Sequence, residues 1–162
     1  MAPRHLEMRF WQAGQDYLVA VERLGLRPRC LFWADDEILN SKVLVMVTEV
    51  TDIAGPLALA ELLFKAYNSE ATPKEIDPFI VRLHSPQQSI IREMGKFWPF
   101  DVTMHSERGE DITETMLRAN INVGSLNLDP SWVYRFETHV VPTVEAGRQW
   151  RRFERNVIAL AA

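Results

Sequence analysis

Apolar residues near the start of the chain recur at steps of three and four positions. The set consists of Leu6, Phe10, Ala13, Tyr17, Val21 and Leu24. This spacing places the side chains on one stripe of a helix. Gly25 follows the stripe directly, and glycine is common just past a helix end because it adopts left-handed backbone conformations easily. The pattern predicts an amphipathic helix that ends at Gly25.

The next two apolar segments cover residues 29–33 and 42–50 and are rich in β-branched and aromatic residues. Such residues favour strands. Polar residues separate the two segments, so we predict a hairpin with a long connection. Cys30 falls within the first of these strands, where a buried thiol acts as a small hydrophobe.

A helix is predicted after this hairpin, with Asp52 as its N-cap and Pro56 in its first turn. Its apolar face comprises Leu59, Leu62, Leu63, Ala66 and Tyr67. Residues 79–83 then form a short, nearly continuous apolar run, which is typical of a strand buried on both faces. Pro86 and Gly95 are expected to bound another short helix.

Alternation of apolar and polar residues marks the second half of the chain. It predicts a strand at Val102 and Met104, a second at 117–123 and a third at 132–140, with a loop at 124–131. Asp111 and Glu114 could instead form a capping box for a short helix before the second strand. A final helix starts near Pro142, and its apolar face comprises Ala146, Trp150, Phe153, Val157 and Leu160.

The predicted order of elements is therefore α-β-β-α-β-α-β-β-β-α. Short turns join the later strands, and each helix has an apolar face that must be covered. We expect residues 1–162 to form a single α+β domain with a predominantly antiparallel or mixed sheet covered by helices.

Composition limits the class of protein. Of the 162 residues, 47% are hydrophobic and 25% charged, as in an ordinary globular chain. The longest apolar runs, at 42–47 and 56–64, are shorter than the roughly 20 residues that a membrane span needs. No secretory signal is apparent, and the lone Cys30 cannot form an internal disulfide. A cytoplasmic protein that does not enter the membrane is expected.

Motifs of the common catalytic classes are missing from the sequence, including the phosphate-binding glycine loops, the zinc-binding His-Glu-x-x-His and the nucleophile elbow. The four histidines are His5, His84, His105 and His139. Their spacing does not suit metal chelation from one element. Asp35, Asp36 and Glu37 are adjacent in an extended loop and point in different directions, so we interpret them as a solvated turn. We expect neither a metal nor a cofactor.

The polar side of the last two predicted strands is the first candidate binding surface. If these strands form an antiparallel hairpin, their polar side chains share one face. This face comprises Arg118, Asn120, Asn122, Arg135, Glu137 and His139. Such groups suit a small anion, a carboxylate or a second subunit. The alternative is a solvated sheet face with weak cross-strand ion pairs. Trp98 lies in a nearby aromatic cluster that either fills the core, lines a pocket or marks a subunit interface.

Arginines on the last helix form a second candidate surface. They are Arg148, Arg151, Arg152 and Arg155. This basic patch could contact phosphates or an acidic partner, although cations near a helix C-terminus also simply favour the helix dipole. The net charge of −4 and the pI of about 5.6 argue against a protein that coats nucleic acid over its whole surface.

Three hypotheses follow. The first is a non-catalytic ligand-binding or regulatory module, as a homodimer, that uses the polar strand face to hold a small anionic ligand. The second is a nucleic-acid-associated accessory protein that binds through the basic patch. The third is an enzyme in which His84, followed by Ser85 at a strand end, or His139 acts as general acid or base beside a carboxylate.

Overall fold

The computed structural model describes residues 6–88, 91–94, 102–103 and 121–160. The helices bounded within this part are α1 (Met8–Arg23), α2 (Val50–Ala54), α3 (Pro56–Asn68) and α4 (Thr143–Leu160), and residues 91–94 are also helical. The strands are β1 (Cys30–Asp36), β2 (Ser41–Val47), β3 (Val81–His84), β4 (Val102–Thr103), β5 (Ile121–Val123), β6 (Leu126–Leu128) and β7 (Val133–Phe136). Short 3-10 turns at Pro78–Ile80 and Pro130–Trp132 lead into β3 and β7.

All of these strands belong to one mixed sheet. β1 is its centre and pairs antiparallel with β2, β6 and β7, while β5 pairs with β6 and β4 with β7. β2 and β3 are parallel, and helices α2 and α3 form the crossover that a parallel pair needs. α4 packs against α2 and α3. The predicted α+β fold with a mixed sheet covered by helices is confirmed.

The end of α1 follows the prediction. Gly25 has a φ of 103°, in the region that favours glycine. The N–H of Gly25 donates to the carbonyl of Glu22, and the N–H of Leu26 donates to the carbonyl of Val21, both at 2.9 Å. These two hydrogen bonds make a Schellman motif, in which the residue after the glycine commonly packs against the helix. Leu26 is accordingly buried in the core.

The single helix predicted after the hairpin is wrong in one respect, because it is two helices. Gly55 has a φ of 85° and lies between them, as the N-cap of α3. Asp52 is therefore inside α2 rather than an N-cap. Pro56 does occupy the first turn of α3. The break has a local cause: the proline ring disfavours helical conformation at the preceding residue, and glycine adopts the required positive φ.

The hairpin predicted between residues 117–123 and 132–140 is also wrong. β5 pairs with β6, whose residues were assigned to a loop, and β7 pairs with β1 and β4. Val123 pairs with Leu126, so only Gly124 and Ser125 connect β5 to β6. A two-residue connection returns the chain at once into an antiparallel strand. β6 therefore lies beside β5, in the position where the sequence pattern predicts β7.

The core is one continuous cluster centred on β1 and β2, and in β2 all residues from Val43 to Val47 are buried. No helix in the described residues is long and apolar enough to cross a membrane. Several predictions lie outside the described residues: the aromatic cluster with Trp98, the strand at Met104, the capping box, and the candidates Arg118 and Asn120. Pro86 lies in a turn, ahead of the helical residues 91–94.

Candidate binding cleft at the sheet edge

Four strand ends meet at one edge of the sheet. Cys30 pairs with Val47 and Phe136, and Val47 pairs with His84, so these residues form a row across β7, β1, β2 and β3. The row contains the carboxyl ends of three strands and the amino end of β1. Residues just beyond a common strand edge lie close together, and such edges are frequent ligand sites in sheets with parallel strands.

Arg29, the residue before β1, is held by this edge. Its backbone N–H donates to the carbonyl of Val47 at 2.8 Å. Its guanidinium donates to the Glu49 carboxylate at 2.8 Å, to the Glu137 carbonyl at 2.8 Å and to the Thr138 carbonyl. The side chains of Arg29 and Glu49 are only 13% and 14% exposed. The arginine therefore links the ends of β1, β2 and β7 in one fixed arrangement.

Glu137 follows β7 and is the most enclosed acidic group at this edge. Arg27 donates to both of its carboxylate oxygens, at 2.7 and 2.5 Å. Such bidentate pairs are the strongest charge-assisted hydrogen bonds between side chains. Arg135 Nε lies 3.6 Å from the same carboxylate, and the Arg135 guanidinium also donates to the carboxylate of Glu22 on α1.

The surroundings of Glu137 fix its charge. Burial on its own raises the pKa of this carboxyl group. The hydrogen bonds and charge of Arg27, together with the charges of Arg135 and His139, act in the opposite direction and prevail, so its pKa lies below the ordinary value. Glu137 is therefore ionised at neutral pH and forms the centre of an ion network inside the chain.

The polar strand face is only partly assembled. Arg135, Glu137 and His139 lie together, with His139 Nε2 3.7 Å from the Glu137 carboxylate. Arg135 and Glu137 are buried, however, so their strand side is covered rather than open. Asn122 is exposed on β5 and pairs with Asn127, which itself pairs with Asp35 near the far end of β1. Asn122 thus lies away from the other three.

A cleft opens beside the ion network. It has a volume of about 310 Å³, and we call it the strand-edge cleft; it is lined by Arg29, Glu49, Pro86, Gln87, Arg92 and Val140. The charges of Arg29 and Glu49 cancel within their ion pair. Arg92 is exposed and has no ion-pair partner within the described part of the chain. Among the described residues, the lining therefore presents one uncompensated positive charge, which suits an anion.

Both histidine candidates, His84 and His139, contact neighbouring polar side chains. His84 Nδ1 contacts the side-chain oxygen of Gln88, and the Ser85 hydroxyl accepts a hydrogen bond from the N–H of Gln87 at 3.1 Å. Both contacts organise the turn after β3. His84 has no carboxylate partner among the described residues. His139 lies beside the carboxylate of Glu137, which is bound by Arg27.

The other candidate groups take part in core packing or in local hydrogen bonds and ion pairs. Cys30 is fully buried, and burial raises the pKa of its thiol to about 12, so it remains protonated and packs in the core. Asp35 binds Lys42 at 2.9 Å, and the Asp36 carboxylate accepts hydrogen bonds from the N–H groups of Ile38 and Leu39. No group of three or more candidate ligands that could hold a metal ion occurs among the described residues.

The basic patch on α4 is exposed, as the spacing predicted. Arg148 lies 3.8 Å from Glu145. Arg151, Arg152 and Arg155 are exposed and have no acidic partner within the described ranges. The aliphatic stem of Arg152 packs beside Gly25.

The lining of the strand-edge cleft escaped the sequence interpretation. The sequence pattern places Arg29 at the start of one predicted strand and Glu49 near the end of the other, without assigning either a role. The predicted hairpin already placed both at the same end, so polar residues flanking two buried strands were an available signal. No comparable sequence signal marks Arg92, because exposed arginines on short helices are common.

Comparisons with protein-family models, with curated proteins and with solved structures find no match for this chain.

Proposed function

We propose that the chain is a small, non-catalytic binding module that holds an organic anion in the strand-edge cleft. The observation that carries this proposal is the Arg92 guanidinium, which has no ion-pair partner among the described residues and lies at a cleft whose other described charges cancel. Pre-organisation supports it as well, since the contacts of Arg29 keep one wall fixed without a ligand.

The chemistry of the lining favours a carboxylate with a short apolar body. Arginine binds carboxylates through two parallel hydrogen bonds. The amide of Gln87 adds a neutral donor, while Pro86 and Val140 offer apolar surface. The volume of about 310 Å³ is near the lower end of the range for small-ligand pockets, about 300–1,000 Å³. A metabolite-sized monocarboxylate fits these features.

Thermal unfolding at constant ionic strength tests the proposal, with acetate, benzoate, succinate and inorganic phosphate as probes. A ligand at 100 times its Kd stabilises the folded state by about 2.7 kcal/mol. For a chain of this size that raises Tm by roughly 5–11 °C. We expect benzoate to raise Tm more than inorganic phosphate does, because only benzoate also contacts the apolar lining.

The variant Arg92→Gln should lose the response to benzoate while keeping its own Tm near that of the wild type. Arg151→Gln is the matched control, since Arg151 is also an exposed arginine but lies on α4. A benzoate response that survives in Arg92→Gln, or the absence of a response to every probe, would contradict an anion site at this cleft.

The basic patch supports a second candidate function, nucleic-acid binding through α4. Three of its four arginines have no acidic partner among the described residues, so their charges are available to phosphates. Binding of this kind weakens steeply as salt concentration rises. We expect a gel shift of a short duplex at low salt that Arg151→Gln/Arg155→Gln abolishes; wild-type protein that leaves the duplex unshifted would exclude this function.

A cytoplasmic location and a homodimer remain predictions from the sequence. Light scattering on the purified chain distinguishes a dimer from a monomer directly. The anion site proposed above lies within one chain and requires neither.

A further inference from the structure

A second cleft lies elsewhere in the molecule and differs from the first in its lining. It has a volume of about 310 Å³ and is lined by Phe10, Trp33, Lys42, Glu75, Asp77 and Ile80. These residues come from α1, β1, β2 and the connection between α3 and β3. We call it the aromatic cleft. It shares no lining residue with the strand-edge cleft.

The aromatic part of the lining is held rigidly. The rings of Phe10 and Trp33 meet edge to face, with centroids 5.8 Å apart. The indole N–H of Trp33 donates to the Tyr134 hydroxyl at 2.9 Å, and that hydroxyl donates to the carbonyl of Trp11 at 2.7 Å. Phe10 and Ile80 are half-buried, so their exposed parts give the cleft an apolar wall. The wall is therefore formed before any ligand binds.

The charges around this wall are unbalanced. The Lys42 ammonium binds Asp35 at 2.9 Å and lies 4.8 Å from the centre of the Trp132 ring, so it is already neutralised. Glu75 is exposed and has no cationic partner within the described residues. Asp77 has none there either, and one of its carboxylate oxygens accepts the N–H of Phe79 at 2.9 Å, which fixes its position. Among the described residues, two carboxylates of the lining therefore stand uncompensated at the same cleft as the apolar wall.

We propose that the aromatic cleft binds a small organic cation, namely a protonated amine on an aromatic or aliphatic body. The body covers the apolar wall, and the ammonium reaches the carboxylates of Glu75 and Asp77. The inference goes beyond the proposed anion binding, since it assigns a separate site with the opposite charge preference.

NMR titrations that follow the indole N–H signal of Trp33 test this site. The probe is phenethylamine, and the comparison compounds are 2-phenylethanol, which has a similar shape without charge, and the anion 3-phenylpropionate. We expect the amine to shift the Trp33 signal with an affinity at least about tenfold higher than that of the alcohol. Equal affinities for amine and alcohol, or no response to the amine, would overturn the proposal.

The double variant Glu75→Gln/Asp77→Asn removes both charges and keeps the local structure, because the asparagine oxygen can still accept the N–H of Phe79. We expect it to bind phenethylamine about tenfold more weakly and 2-phenylethanol as before. Glu61→Gln, an exposed glutamate on α3, is the matched control and should change neither. Amine binding that survives in the double variant would overturn the site. Arg92→Gln should leave amine binding intact, so this test and the anion test fail independently.

Discussion

Two tyrosines in the core have hydroxyl groups in opposite situations. The Tyr17 hydroxyl is buried and has no hydrogen-bond partner among the described residues. The Tyr134 hydroxyl accepts from Trp33 and donates to the carbonyl of Trp11. A buried polar group without a partner is unfavourable, whereas removing one member of a buried hydrogen bond leaves the other unsatisfied.

We therefore expect Tyr17→Phe and Tyr134→Phe to act in opposite directions. Tyr17→Phe should leave the free energy of unfolding unchanged or raise it by up to about 1 kcal/mol. Tyr134→Phe should lower it by about 1–3 kcal/mol, because the buried N–H of Trp33 loses its acceptor. Urea unfolding followed by circular dichroism measures both, and similar losses in the two variants would contradict the assignment of partners.

The sequence predicts only part of this contrast. Helical spacing places Tyr17 on the buried stripe of α1 correctly, and alternation places Tyr134 on a strand. Neither pattern reveals which hydroxyl finds a partner, because the hydrogen bond between Trp33 and Tyr134 joins residues 101 positions apart. Such pairings depend on how the strands and α1 are arranged in space.

At the scale of elements, two helices contain an internal glycine in different surroundings. A Cβ on Gly14, in α1, would lie 2.1 Å from the Tyr134 hydroxyl oxygen. That ring stacks on Trp11 with centroids 4.3 Å apart, so it cannot easily move. A Cβ on Gly147, in α4, would meet only the end of the Arg151 side chain, at 3.4 Å. Close packing therefore requires glycine in α1 but not in α4.

Alanine at these two positions should have effects of opposite sign. In a helix, alanine is favoured over glycine by about 1 kcal/mol, so Gly147→Ala should raise the free energy of unfolding by up to that amount. Gly14→Ala should lower it by about 1–3 kcal/mol, because the added methyl group displaces a packed ring. Thermal and urea unfolding check the signs. A stabilising Gly14→Ala would show that α1 is not packed against Tyr134 in this way.

The long elements were all predictable, whereas the three-residue strand β6 was missed. α1, α4 and the hairpin of β1 and β2 are each seven residues or more, enough for a period to appear. β6 has only three residues, Leu126, Asn127 and Leu128, which are too few for a period to appear. Missing β6 led to the wrong partner for β7. Asn122 therefore lies away from Arg135, Glu137 and His139.

At the scale of the whole molecule, the ion network joins parts of the fold that are distant in sequence. Arg27 and Glu137 are 110 positions apart, and Arg135 and Glu22 are 113 apart. These pairs connect α1, the segment after it and the end of β7, and the Arg29–Glu49 pair extends the network to the start of α2. The sequence indicates charged residues at these positions, but only the strand order brings them together.

Glu137 should make the stability of the fold depend on pH. Its pKa is lower in the folded chain than its ordinary value, so the folded state favours the ionised form. The resulting stabilisation is fully present above the ordinary pKa of a glutamate and is lost as pH falls through the lowered one. Acidification below about pH 4.5 should therefore remove this part of the stability.

The variant Glu137→Gln isolates this contribution, and Glu145→Gln, a half-exposed glutamate on α4, is its control. At pH 7 we expect Glu137→Gln to lower the free energy of unfolding by about 3 kcal/mol, because Arg135 loses a buried partner. Other acidic groups titrate in both proteins, so the difference from wild type should narrow steadily in urea unfolding between pH 5 and about pH 3. Glu145→Gln should stay within about 0.5 kcal/mol of wild type throughout. A difference for Glu137→Gln that is the same at pH 7 and pH 3 would mean that its charge does not hold the sheet edge together.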